Sequence, residues 1–170
     1  MPGMTIGTSL NRGFPGSFAA MPDDVIRSRV VSQASEAIPF GAAVMLNTDG
    51  TYALFATGGT EENFAGIAVR AVKQSEQYLS QGAVDYKPEQ QADVMLRGEI
   101  SVVCAAGNPT ANGDVYVRIT ENTGVGGAVG GLEATADGAN TVLVPNLRWV
   151  SNMKDADNVT SVCILTRNVP

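Results

Sequence analysis

The strongest constraint on the fold is a set of short segments in which apolar and polar residues alternate, separated by glycine and proline. The longest is residues 92–104, ADVMLRGEISVVC, in which every second residue from Ala92 to Cys104 is apolar or glycine. Because side chains of an extended strand point alternately to opposite faces, this segment predicts a strand with one uninterrupted face in the core. Gly98, at its midpoint, predicts a bend or a bulge.

A second alternating segment, residues 114–120, follows the polar corner GNPTANG. We expect one face of this strand to fill the core, and that face holds Val115, Val117 and Ile119. We expect the other face to be in water or against a partner, and it holds Asp114, Tyr116, Arg118 and Thr120. The alternation predicts two faces of different character.

Further strands are indicated by runs that are rich in β-branched and aromatic residues. They are residues 25–31, 43–46, 52–56, 64–72, 141–150 and 158–170. The first and fourth runs are also compatible with a helix, and we prefer strands. Asp49 and Gly50 predict a hairpin turn between the second and third runs, because glycine tolerates the positive φ that such turns require. Apolar residues occur on both faces of the last run, so we expect both faces to be buried.

About eight short strands with no long helix predict an all-β barrel or sandwich. A chain of 170 residues fits one domain of this kind. Residues 1–25 differ, because glycine and proline interrupt any regular structure there while large apolar residues remain frequent. We therefore expect an extended N-terminal arm over residues 1–25, lying on a partner or on its own domain, and a single β-barrel or sandwich domain over residues 26–170.

The charge pattern argues against nucleic acid and membrane partners. The net charge is −6, and the eleven lysine and arginine residues are scattered, so the chain offers no basic footprint for phosphates. No signal peptide and no apolar run of membrane-spanning length are evident, so we expect synthesis in the cytoplasm. Only 16% of residues are charged, which predicts a neutral surface covered by neighbours, or a weakly charged monomer.

Residues with catalytic potential are scarce. The chain has no histidine, which removes the most common general base and most zinc sites. No phosphate-binding glycine motif and no cysteine metal spacing occur. The acidic residues that could pair in a catalytic site, which we expect instead to be solvated, are Glu61, Glu62, Glu99 and Asp114. We therefore predict no catalytic residue, no cofactor and no metal, and a function in binding other proteins.

Three residues are expected to be buried. Cys104 and Cys163 each lie in an apolar, strand-like run and are expected to be buried free thiols, with a disulfide between neighbouring strands as the alternative. Trp149 is expected in the core, with an interface anchor as the alternative.

Five stretches occur in the same order as in the structural cement, or decoration, proteins of tailed bacteriophages. They are GFPGSFA (13–19), IRSR (26–29), IPFGAAV (38–44), VMLRGEISV (94–102) and PTANGDVYV (109–117). The chain resembles this family over residues 11–119, about two thirds of its length. The resemblance implies a small jelly-roll or tulip-like β-barrel. It also implies that Pro39, Phe40 and Gly41 mark the entry into the barrel, and that Gly113, Asp114 and Val115 form the turn before a barrel strand.

The resemblance further implies a non-enzymatic protein of the virion that forms homodimers or homotrimers on the outer surface of the head. There it would cement neighbouring subunits of the major capsid protein and stabilise the expanded shell. Contacts with the capsid or between copies are expected at Leu10, Phe14, Pro15 and Phe18 of the arm and at Tyr116 and Arg118. The alternative is a carbohydrate-binding or host-adhesion module of the virion, which would use exposed aromatic side chains.

Overall fold

A computed structural model describes residues 13–71, 85–122, 124 and 127–166. Over these ranges the chain forms eleven strands, and its one helical element is a 3-10 turn, Gly138–Asn140. The strands are β1 (Phe18–Val30), β2 (Ile38–Pro39), β3 (Ala43–Leu46), β4 (Tyr52–Leu54), β5 (Phe64–Ala68), β6 (Asp85–Tyr86), β7 (Gln91–Val103), β8 (Asp114–Arg118), β9 (Leu132–Glu133), β10 (Thr141–Trp149) and β11 (Val159–Ile164). The all-β prediction is confirmed.

Nine of these strands form one antiparallel sheet in the order β4-β3-β5-β7-β11-β10-β8-β9, with β1 paired to β7; β2 and β6 form a separate ribbon. The long strand β7 organises the sheet. Met95 pairs with Ile26 of β1 and with Ile67 of β5, whereas Ile100 pairs with β1 and β11. Strand β1 therefore follows one edge of β7, while β5 and β11 share the other edge, one after the other.

Two hydrophobic cores lie on opposite faces of this sheet. In the strand order, β4, β3 and β5 make one half of the sheet and β11, β10, β8 and β9 make the other, with β7 between them. The first core joins side chains from both halves, including Phe64 and Ile67 of β5, Val117 of β8 and Trp149 of β10. The halves therefore face each other across a shared interior, as in a barrel or jelly roll. The second core lies on the other face of β3, β4 and β5 and includes Tyr86 of the β2–β6 ribbon.

Gly98 changes the face that β7 presents to the first core. Before it, Val94 and Leu96 belong to the second core; after it, Ile100 and Val102 belong to the first. The prediction of one uninterrupted face was therefore wrong, while the predicted irregularity at Gly98 is confirmed, because its φ is +124° and the β1 register shifts opposite it. A strand alternates strictly only while no bulge shifts its phase.

The predicted hairpin is confirmed by the pairing of β3 with β4. The Asp49 carboxylate accepts hydrogen bonds from the backbone N–H (2.8 Å) and the hydroxyl (2.7 Å) of Thr51, and these bonds lower the pKa of Asp49. Gly50 takes a φ of +83°. Strand structure is also confirmed at both places where a helix was the alternative, in β1 and β5. The boundary that we expected between residues 25 and 26 lies within β1.

The three residues that were predicted to be buried, Cys104, Cys163 and Trp149, are buried to different degrees. Trp149 is 1% exposed, so its core placement is confirmed and the interface alternative was wrong. Cys104 is buried and free, whereas Cys163 is free but only partly buried. The expectation that the last strand is buried on both faces holds in part. Val162 and Ile164 enter the core on one face, whereas on the other face Val159 is buried, Cys163 is partly buried and Leu165, just past β11, is 48% exposed.

Candidate protein-interaction surface

The N-terminal segment, residues 13–18, is fixed to the sheet by backbone hydrogen bonds. Gly16 donates its N–H to the carbonyl of Ser101 (2.7 Å), and Ser101 donates its own N–H to the carbonyl of Ser17 (2.8 Å). Arg70 donates its backbone N–H to the Gly16 carbonyl (2.8 Å). The segment therefore joins β7 to the end of β5.

Two glycines allow this close approach. A β-carbon on Gly16 would lie 2.7 Å from the backbone nitrogen of Arg70, and one on Gly41 would lie 3.0 Å from the nitrogen of Gly16. Both residues also have a φ of +80°, which other residues rarely adopt. The N-terminal segment can therefore lie this close to the sheet because both positions are glycine.

The N-terminal segment exposes two aromatic rings. Phe14 is 58% exposed and Phe18 is 44% exposed, while Pro15 between them is partly buried. The guanidinium carbon of Arg70 lies 4.9 Å from the centroid of the Phe14 ring and 5.8 Å from that of Phe40. Cation–π attraction of this kind holds the arginine side chain against the exposed Phe14 ring.

An apolar groove of about 410 Å³ adjoins this segment, and Pro15 forms part of its lining. The rest of the lining comes from residues 39–42, from Val103 and Ala105 around the end of β7, from residues in the range 127–132, and from Arg70. Among the described residues that line the groove, Arg70 is the only charged one. Phe14, Pro15, Arg70 and the groove thus form one continuous surface.

One part of the groove is held by a buried ion-pair network. Arg118, fully buried, donates hydrogen bonds from Nε to one Glu133 oxygen (2.6 Å) and from Nη2 to the other (2.9 Å). The same Glu133 carboxylate accepts the backbone N–H of Gly127 (3.0 Å), which lines the groove. Arg118 also donates to Asp137 (2.9 Å). The network therefore ties the 127–132 part of the lining to β8 and β9.

Electrostatics of the network follow from these bonds. The hydrogen bonds to Glu133, and then those to Asp137, raise the pKa of Arg118 above its ordinary value against the effect of burial. The hydrogen bond from Asn122, followed by that from Arg118, lowers the pKa of Asp137. Both shifts favour the charged forms of Arg118 and Asp137 at neutral pH.

The predicted contact residues differ in their position and burial in the structure. Phe14, Pro15 and Phe18 lie together on the N-terminal segment, and Leu10 lies outside the described residues. Tyr116 is partly buried and does not line the groove. The expectation that Arg118 faces outward was wrong, because β9 and the segment after it cover the polar face of β8 and bury the guanidinium.

Sequence reasoning missed the groove. Its lining is assembled from short apolar stretches that are far apart in the chain, and alanine and glycine carry no distinctive signal. Arg70 had a weak signal, since it interrupts the apolar run 64–72 on the face opposite Ile67 and Val69. The cluster of small residues around it becomes visible only in three dimensions.

A larger depression of about 500 Å³ lies beside β1 and the β3–β4 hairpin, and Arg27, Arg29 and Tyr52 contribute to its lining. Arg29 already donates to the Gly50 carbonyl (2.9 Å) and lies 5.9 Å from the Tyr52 ring centroid. This site is more polar than the apolar groove. The groove with its exposed aromatic neighbour is therefore the better candidate for binding another protein.

Metal binding and thiol chemistry find little support in the described part of the chain. No group of three histidine, cysteine, aspartate or glutamate residues is placed there to hold a metal ion. No helix within those ranges is long and apolar enough to cross a membrane. Burial raises the pKa of both Cys104 and Cys163, which disfavours the reactive thiolate.

An all-β domain with a fixed aromatic segment beside an apolar groove is suited to binding another protein. The family model described as structural cement protein (E217 gp24/Pam3 gp6) matches residues 3–166, so the chain belongs to this family of phage structural proteins. The family and the capsid-stabilising role that the sequence resemblance implied are confirmed. The adhesion alternative is not favoured.

Structural comparison agrees on the fold. A chain in the structure of the capsid of Myoviridae phage XM1 has a TM-score of 0.69 to this protein at 18% sequence identity. The alignment covers 96% of each chain. No curated protein matches the sequence significantly.

Proposed function

We propose that the protein acts without catalysis on the outer surface of the phage head, where it spans neighbouring subunits of the major capsid protein. The observation that carries this proposal is the exposed Phe14 ring, held beside the apolar groove by its contact with Arg70, together with the exposed Phe18 at the start of β1. Aromatic side chains held in place lose little entropy when a partner covers them, so they are effective anchors. Synthesis in the host cytoplasm is part of the same proposal.

The proposal extends to how the copies are arranged. Residues 1–25 act as an arm that reaches capsid or neighbouring copies, through Leu10, Phe14, Pro15 and Phe18, and Tyr116 adds a further contact. A homodimer or homotrimer then grips several capsid subunits at once. Each contact can be modest, because later contacts form at high effective concentration. Sedimentation of the free protein distinguishes the two assembly states.

The test uses purified heads that lack this protein. We expect the double variant Phe14→Ser, Phe18→Ser to bind these heads at least about tenfold more weakly, because two apolar anchors are lost. The measurement is the number of copies bound per head over a concentration series. The matched control is Met153→Ser, since Met153 is 60% exposed but lies outside this surface. Equal binding by the double variant and the control would refute the role of the two rings.

A further inference from the structure

We propose that the apolar groove receives a segment of the major capsid protein that has small or apolar side chains and one carboxylate, and that Arg70 pairs with this carboxylate. The inference rests on the proposed function and adds the chemistry of the partner. It is carried by the composition of the groove and by the state of Arg70.

The shape of the groove suits a polypeptide segment. Its volume of about 410 Å³ lies within the range of protein binding pockets, ~300–1,000 Å³. Much of its lining is glycine and alanine, including Ala105, Gly127 and Ala128. Small side chains let another backbone come close, as Gly127 already does to Ala105, where a β-carbon on Gly127 would meet the alanine methyl. Val103, at the end of β7, is 37% exposed beside them and supplies apolar contact.

The charge of the groove specifies the partner. Arg70 is exposed, and within the described ranges it forms no salt bridge with a carboxylate. Its guanidinium lies near the rings of Phe14 and Phe40, which restrains the side chain. A restrained guanidinium presents N–H donors in a fixed geometry that matches a carboxylate. An apolar segment with one aspartate or glutamate therefore complements the groove.

The chain's own N-terminal residues fit the groove less well. Residues 1–12 contain Arg12 and no aspartate or glutamate, so they offer no carboxylate to Arg70. A segment from the capsid protein is the occupant that the proposed function supplies. A second copy of this chain is the competing occupant, and the experiment below separates the two.

The first measurement is binding of charge-reversed variants to heads that lack the protein. We expect Arg70→Glu to bind about tenfold more weakly, because it places like charges together. Lys87→Glu is the matched control, since Lys87 is also exposed but does not line the groove. Circular dichroism and the melting temperature check that both variants are folded. Normal binding by Arg70→Glu overturns the groove assignment alone, whereas no binding by the unmodified protein overturns the proposed function.

The second measurement identifies the carboxylate. In the variant Arg70→Lys, a carbodiimide couples the new amine directly to a carboxylate with which it forms an ion pair, and mass spectrometry locates the bond. The unmodified protein provides the background of links from its other lysines. We expect a new link to an aspartate or glutamate of the major capsid protein within an apolar stretch. A new link to a second copy of this chain, or no new link on saturated heads, would overturn the inference.

Discussion

At the scale of single residues, burial of a charge decides more than its position in an alternating pattern. Arg118 lies on the polar side of β8 as predicted, yet it is fully buried because Glu133 and Asp137 cover it with compensating charges. Alternation predicts which side of a strand a residue occupies, and it cannot predict what later covers that side. The covering residues lie fifteen and nineteen positions further along the chain.

Removal of the Arg118 side chain tests this network. We expect Arg118→Ala to lower the free energy of unfolding by about 3 kcal/mol, because Glu133 remains buried without its partner. The double variant Arg118→Met, Glu133→Leu is expected to lose much less, since it removes the fully buried carboxylate together with its partner. Asp137, which is partly exposed, keeps the hydrogen bonds from Asn122 and Asn140. Urea unfolding followed by circular dichroism measures both. A loss below about 1 kcal/mol in Arg118→Ala would show that Glu133 finds water or another donor.

At the scale of secondary structure elements, Gly98 lets one strand serve two cores. Its φ of +124° shifts the phase of β7, and the bulge in β1 places the Asp24 side chain where a β-carbon on Gly98 would lie. We expect Gly98→Ala to destabilise the protein by about 1–3 kcal/mol through backbone strain and this clash. The change in free energy of unfolding is measured in urea.

Gly58→Ala separates the two causes. Gly58 also has a positive φ, +92°, but a β-carbon there would have no atom within 4 Å. We therefore expect it to cost less than Gly98→Ala, by the amount of the clash with Asp24. Equal losses in the two variants would mean that backbone strain alone acts at Gly98.

The elements also show how far sequence reasoning reaches. Hydrophobic alternation and turn residues predicted strands such as β7, β8 and the β3–β4 hairpin, because these signals are local. The phase shift at Gly98 and the pairing of β1 with β7 depend on contacts between distant residues. The family resemblance and the apolar character of the arm predicted Phe14, Pro15 and Phe18 as contacts, and these contacts stay a prediction. The groove was not predicted, because distant segments assemble it.

At the scale of the whole molecule, the low charge of this acidic protein favours binding through apolar surface. The net charge of −6 favours solubility, while Arg70 is the single positive residue among the described residues that line the groove. Such a surface adds little long-range steering, so affinity depends on several copies or several contacts acting together. This is the behaviour that a cement protein requires, because its sites are repeated over the shell.

Stabilisation of the shell by mass action is the consequence. In the proposed function, the protein binds neighbouring subunits that only the intact head presents together, so each site adds about RT ln(1 + [L]/Kd) to the stability of the head. We expect the rupture temperature of heads that lack the protein to rise with added protein until the sites are filled, as followed by release of packaged DNA to a fluorescent dye. For the double variant Phe14→Ser, Phe18→Ser, we expect the same rise in rupture temperature to require a higher protein concentration, in proportion to its weaker binding. Heads that rupture at one temperature with and without saturating protein would show that binding does not reinforce the shell.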